Sequence, residues 1–353
     1  MNFTHKILSR NSGAWLILYA LVQTSQNSRR RGRDTREADE RLGTGHQQVP
    51  DLAIRRSSWA WTKVDAMMEQ LTSGWLLLTV PGLIWGASFL FMAEGLRSIG
   101  PSGVCFVRIC IGFATLGLFR SARRPVAPAH WGSVAWLGLL WFAFPLSMFP
   151  FAEQRVSSAL TGMLNGANPL FATLVACYLA RRAPSRGVAV GLTVGLAGTV
   201  LIALPAVDSG HSSAIGIGLI LAALISYGFA LSIARSLQQR YGAVPVIWRA
   251  QGVALILTAP LGIPDLIAAH WLVVPLLSLL ALGAFGTAIA NVLMASAAGH
   301  FGAARASGTT FLIPVVALLL GVLVHNEQVA LVSVVGCLIC LSGAWLMKRA
   351  ASH

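Results

Sequence analysis

The sequence predicts an all-α polytopic membrane protein with ten transmembrane helices arranged as two inverted five-helix repeats. Three observations predict it. Apolar stretches of roughly the length a bilayer requires, about 20 residues, recur from Trp75 onward. The stretch Ser158–Leu201 returns as Ala303–Leu346 at a constant offset of 145 positions, so that Pro169 falls on Pro314, Ala172 on Ala317, Gly191 on Gly336 and Gly198 on Gly343. The basic residues between the apolar stretches alternate in density from one link to the next.

Composition agrees. Apolar residues make up 56% of the chain, charged residues 11%, and the mean hydropathy is +0.70, whereas soluble domains carry about 25% charged residues. After Met67 only six acids remain: Glu69, Glu94, Glu153, Asp208, Asp265 and Glu327. The net charge of +14 does not mark a nucleic-acid binder, because the basic residues sit singly or in short clusters between apolar runs, with no basic-aromatic platform. Cys337 and Cys340 have redox spacing but lie in an apolar stretch, where small packing residues are expected. No Walker loop, dinucleotide fingerprint or metal-spaced cluster of His, Asp and Glu is present, so neither a cofactor nor a metal is expected.

The elements follow in order. Residues 1–66 hold Arg29-Arg30-Arg31-Gly32-Arg33 and a mixed-charge run, and their only apolar run, Ala14–Val22, is too short to span. They read as a disordered, cytoplasmic, basic segment, with Met67 or Met68 as an alternative start of the chain. The first repeat is placed at 67–205 and the second, with a short cytoplasmic tail, at 206–353. Helices are predicted near 75–94, 102–119, 133–151, 157–180 and 187–205, then near 214–234, 244–262, 271–290, 303–324 and 328–347. With the N-terminus cytoplasmic, the inner links and tail carry eleven arginines and lysines and the outer links two, Arg97 and Arg155. That asymmetry places both termini on the cytoplasmic side of an inner membrane. Five helices per repeat is an odd number, so the second repeat enters the bilayer upside down, an arrangement whose substrate site lies between the repeats near the midplane.

Trp85-Gly86-Ala87-Ser88-Phe89 has a counterpart in Tyr227-Gly228-Phe229-Ala230-Leu231 at an offset of 142, and Arg108 is matched to Arg249 at 141. These residues, with the Ser/Ala-rich entry to the fourth helix, Pro169, Pro314 and the Asn326-Glu327 pair, resemble the drug/metabolite transporter superfamily in its EamA branch. The resemblance runs from about Trp75 to Met347; the first repeat departs from it by carrying Arg181-Arg182 where an acid is common. It implies ten helices around a central cavity and transport, usually export, of small metabolites or drugs.

Several residues are candidates for the solute site. Arg108 and Arg249 are arginines placed within helices, suited to a carboxylate or phosphate in a cavity or else to snorkelling toward the interface. Asn165 and Asn168 share one face of the fourth helix, and Pro169 leaves the Asn165 carbonyl in need of a partner. The second repeat offers Thr309, Thr310 and Pro314 in their place. Pro169 and Pro314 are therefore predicted as gating kinks. Trp85, Trp141 and Tyr227 lie in mid-helix, where they either line a cavity or pack. Asn291 is placed at the end of the eighth helix, and Ser147 is a weaker candidate. Gly187, Gly191 and Gly195 predict close helix packing, within the chain or across a homodimer.

No acid falls in mid-helix by this placement, which disfavours a proton-coupled cation exporter and favours neutral, zwitterionic or anionic solutes such as amino acids. The expected function is secondary transport by alternating access, with the lipid bilayer and a small solute as the partners. A membrane-embedded enzyme acting on a lipid-linked substrate and a channel are the competing readings.

Overall fold

A computed structural model of the chain describes residues 74–208, 211–302 and 306–351. The expectations for residues 1–66, including the alternative start, lie outside the described residues, as does Arg305. The chain divides into the units Met1–Leu76 and Leu77–His353, and of the first only the start of α1 is described.

The described residues are all helical or in short links: α1 (Gly74–Gly95), α2 (Pro101–Gly117), α3 (Pro128–Glu153), α4 (Ser158–Asn165), α5 (Asn168–Ala180), α6 (Arg186–Asp208), α7 (His211–Tyr241), α8 (Ala243–Ile267), α9 (Val273–Phe301), α10 (Ser307–His325) and α11 (Leu331–Ala351). Eight of these are long and apolar enough to cross a membrane. The pair α4 and α5, bent by 42°, makes a ninth span if taken as one, and α2 is a shorter apolar helix.

Local chemistry sets the ends. Ser157 accepts a hydrogen bond from the Leu160 amide and so caps α4. Prolines stand in the first turns of α2 and α5, where a missing N–H costs nothing. α5 and α10 end on residues in the left-handed region, Arg181 (φ 51°) and Asn326 (φ 54°), which stand 145 positions apart. Asn tolerates that conformation; for Arg it costs about 1 kcal/mol.

Several helix ends differ from expectation, among them those of α7, α9 and α3. α7 runs on to Tyr241 and α9 to Phe301, because the Ala, Leu, Gln and Met residues there are good helix formers. Asn291 therefore lies inside α9 and not at its end. α3 continues through Glu153, so that this acid belongs to a helix.

Both halves use the same backbone devices. α6 and α11 run antiparallel in close contact. A Cβ on Gly191 would strike the backbone at Gly343 and Met347, and one on Gly198 would strike the backbone at Gly336 and Cys340. The equivalent glycines of α11 strike α6 in turn. Gly187 lies against Ala350, so these glycines are spent on packing within the chain and not on a homodimer contact. Gly86 of α1 meets α10 at Ile313 and Val316, and Gly228 of α7, 142 positions on, meets α5 at Phe171 and Val175.

α3 and α9 each contain a π-helical segment, Gly138–Ala143 and Leu282–Ile289. Gly138 approaches the Ala250 carbonyl and Val253 of α8, while Gly283 approaches the Arg108 carbonyl and Ile111 of α2. These paired contacts fix the register of α2 against α8 at 142. Arg108 therefore corresponds to Ala250, and the match of Arg108 to Arg249 at 141 is corrected by one residue.

The two ends of the bundle are chemically distinct. Glu94, Glu153, Asp265 and Glu327 gather at one, the acidic end, and the arginines of the α2–α3, α5–α6 and α7 termini lie at the other, the basic end. α4 packs along the outer part of α10: Gly162 on Ala317, Gly166 on Pro314 and Gly321 on Ala159. α5 instead lies against α7. Thr173, Ala176 and Ala180 of α5 line a shallow hollow at the basic end, beside Arg182 and Ala183.

Candidate functional site

The π segment of α9 gathers polar side chains from four helices. A π turn breaks the regular i→i−4 ladder and leaves carbonyls free for other donors. The Thr287 carbonyl accepts from Gln251 Nε2 at 2.9 Å and from Asn291 Nδ2 at 3.1 Å. The Gly286 carbonyl accepts from the Trp85 indole N–H at 3.0 Å. The Thr287 hydroxyl donates to the Leu282 carbonyl at 3.1 Å and accepts from Arg108 Nε at 3.2 Å. Residues of α1, α2, α8 and α9, two helices from each half, thus converge on one turn. The matching π segment of α3 has a simpler answer: Ser226 of α7 donates to the Leu140 carbonyl at 2.8 Å.

Arg108 is 6% exposed, and Nε makes its one hydrogen bond among the described residues. Its two NH2 groups are left with donors to spare. Tyr227, Cys105 and Glu153 are its titratable neighbours. Tyr227 stands beside Phe149, with centroids 6.1 Å apart, and Phe149 makes an edge contact with Phe89 at 5.7 Å. Ser147 lies 3.3 Å from the Cys105 sulfur.

Of the residues singled out from the sequence, Arg108, Trp85, Tyr227 and Asn291 belong to this region. The others stand apart from it. Arg249 Nη1 donates to the Ala122 carbonyl at 3.0 Å and to the Pro245 carbonyl at 3.1 Å at the basic end, with its guanidinium 5.6 Å above the Trp248 ring. Trp141 lies in the π segment of α3, stacked on Phe142. Asn165 and Asn168 flank the bend between α4 and α5, and the buried Asn168 Oδ1 has no hydrogen-bond partner. Pro169 opens α5, and its carbonyl accepts from Thr173 at 2.9 Å. Thr310 donates to the Ser307 carbonyl at 2.7 Å within a 3-10 turn that precedes Pro314. That turn ends at Phe311, 145 positions after Gly166, so the fourth span and α10 are interrupted at equivalent places.

Thr287, Gln251 and Glu153 were not singled out. Gln251 is fully buried and its Oε1 is unpartnered. A lone glutamine in an apolar run is a readable signal. Thr287 gives none, because threonine is common in such helices.

The acidic end is tied across the halves. Glu327 accepts from the Ser158 amide at 2.9 Å, the Ser158 hydroxyl at 2.7 Å and the Ala159 amide at 2.8 Å, so it caps α4 from the far half. Asp265 accepts from the Gly103 amide at 2.9 Å in the first turn of α2. An anion at a helix N-terminus contributes about 0.3–1 kcal/mol at an exposed site and up to about 2 where partly buried. His325 Nε2 lies 2.8 Å from Glu94 Oε1, and the Ser98 hydroxyl donates to the His270 carbonyl.

A membrane bundle of two related halves, with polar side chains from both halves converging on one interrupted helix, is the architecture of a membrane transport protein. The chain belongs to the EamA-like transporter family, which matches it twice, over residues 72–204 and 214–349. It is 25% identical over 266 residues to the uncharacterized transporter YdfC of Bacillus subtilis, covering 74% of this chain and 86% of that one. An uncharacterized transporter of Archaeoglobus fulgidus is 22% identical over 276 residues, covering 78% of this chain and 98% of its own. A crystal structure of a protein 20% identical shares the fold, with a TM-score of 0.54 over 80% of this chain and 98% of that one.

Proposed function

We propose that the protein is a secondary carrier of the cytoplasmic membrane that exports a small neutral, zwitterionic or anionic solute, such as an amino acid, by alternating access. Ten helices cross the bilayer, the second five inverted relative to the first. The antiparallel pairing of α6 with α11, repeat-equivalents whose glycines exchange roles, supports the inversion. α2, at 17 residues, spans if untilted. The arginine-rich basic end faces the cytoplasm and carries both termini, in keeping with the positive-inside rule.

The observation that carries this reading is Arg108. A guanidinium buried between the two halves, bonded through Nε alone, presents a two-pronged donor fork whose geometry matches a carboxylate. Trp85 and Tyr227, repeat-equivalents at an offset of 142, bring aromatic rings to the region from either half. The contact of α4 with α10 at the acidic end fits a state closed to the outside. Movement about the breaks before Pro169 and Pro314 would exchange it for the opposite state.

Metabolite profiling of cells with and without the protein, followed by vesicle flux of the leading compounds, tests the reading. Arg108→Ala at unchanged protein level abolishes saturable flux, and Arg108→Lys restores part of it. Wild-type flux in Arg108→Ala overturns the assignment.

A further inference from the structure

We propose that Glu153 is a proton-binding site whose occupancy is tied to closure of the acidic end, so that it couples the carrier cycle to protons. The coupling half of this rests on the carrier reading above; the proton site itself does not. Glu153 closes α3, and both its carboxyl oxygens are sealed from solvent with no hydrogen-bond partner. The neighbouring acids are all engaged. Glu94 lies against His325 and Arg97, Asp265 holds the Gly103 amide, and Glu327 holds the start of α4.

The charged groups around Glu153 explain what it must be. Glu327, beyond the end of α10, and Arg108 of α2 act on it. Among the described residues no basic group comes within ion-pair distance of it. Arg155, the nearest in sequence, turns away and donates to the Phe151 carbonyl at 2.6 Å. α7 packs on this end of α3 through Gly216 and brings Tyr227 nearer Arg108. α2 adds Cys105, and α4 adds no titratable group. His325 stands 3.9 Å from Glu327 and is occupied by Glu94. An ionised carboxylate here would be dry, unpaired and beside a second negative charge, whereas a neutral carboxyl with its proton is compatible with the site.

Parting of α4 from α10 breaks the Glu327 cap and admits water. The Glu153 O–H then passes its proton to that water and is left as a carboxylate that the Arg108 charge favours. Closure without reprotonation would bury the unpaired charge, so the acidic end closes with the proton on.

The test is infrared spectroscopy of the full-length protein in lipid bilayers. At neutral pH the wild type shows the C=O stretch of a protonated carboxylic acid. The band is absent in Glu153→Gln and retained in Glu94→Gln. A wild type without the band, or a Glu153→Gln protein that keeps it, overturns the proton site; the wild-type spectrum decides alone if the variant does not fold. In vesicle flux, Glu153→Gln no longer responds to an imposed pH gradient. A response equal to wild type overturns the coupling and leaves the carrier reading standing. A protein that shows the band yet moves no profiled compound leaves the proton site standing and removes the carrier.

Discussion

The two halves of the molecule share a backbone and differ in the side chains it carries. The glycine contacts, the π segments and the left-handed helix ends recur at offsets of 142 or 145. The polar hub does not recur. Arg108 corresponds to Ala250, Gln251 to Ile109, Thr287 to Phe142 and Asn291 to Leu146, and each of those four counterparts is buried and apolar. The duplicated backbone suits a structure that must offer equivalent closures at both ends. The unduplicated chemistry confines the polar cluster to one place in the bundle. The gates differ in the same way: Glu327 caps α4, while the residue 145 positions earlier, Arg182, has the wrong charge to cap a helix start.

The largest expected effect tests what is shared. Gly198→Leu and Gly343→Leu each force a side chain into the backbone of the partner helix, where no flexible neighbour can give way. Neither variant is expected to elute as a folded, monodisperse species in detergent, and loss from one position but not the other breaks the equivalence of α6 and α11.

The next effect tests what is not shared. Removing Arg108 loses a charge-assisted interaction of up to about 3 kcal/mol, or roughly a hundredfold in transport rate. Arg249→Ala, which releases a snorkelled group from two carbonyls at the basic end, changes flux by about twofold at most. Equal losses would restore the pairing of the two arginines that their register denies.

A smaller effect is expected at the gates. Glu327→Gln keeps one acceptor oxygen, enough for the Ser158 or the Ala159 amide but not both, turns an N–H toward the other and loses the charge, weakening the cap by at least about 1 kcal/mol. Labelling of a cysteine at Ser158 should rise about five- to tenfold as the acidic end opens more often. Arg182→Gln should leave that labelling unchanged.

Much of this was legible in the sequence, for physical reasons that also explain the gaps. Prolines and glycines report backbone geometry, so Pro169 with Pro314 and Gly191 with Gly336 revealed the repeat directly. Arg108 and Arg249 misled because they were matched by charge, whereas the register is set by the small residues Gly138 and Gly283, whose contacts are visible only in three dimensions. The π segments are composed of residues that suit an α-helix equally well, and Thr287 acquires its role only from them. Glu153 was read as part of a link because it is charged and close to a helix end. Its end of α3 packs against α7 and α2, each more than 30 residues away in the chain.

The smallest effect concerns the bends. Pro169 stands in the first turn of α5, where a proline is no obstacle, and the chain is already turned at Gly166 and Ala167 by short-range bonds to Met163 and Leu164. The proline therefore stabilises the interruption without creating it. Pro169→Ala supplies an N–H that can reach the Asn165 carbonyl, a bond worth about 1 kcal/mol net, so the straighter form gains about fivefold. Transport should slow by about that factor while insertion and yield stay normal. Pro314→Ala offers its new N–H to Thr310, whose 3-10 turn is also held from the side, since Thr309 donates to the Leu78 carbonyl at 2.5 Å. The second variant should therefore slow flux less than the first. If the two are equal, the breaks act as a matched pair of hinges; if Pro314→Ala is the slower, the tie to α1 is itself part of the gate.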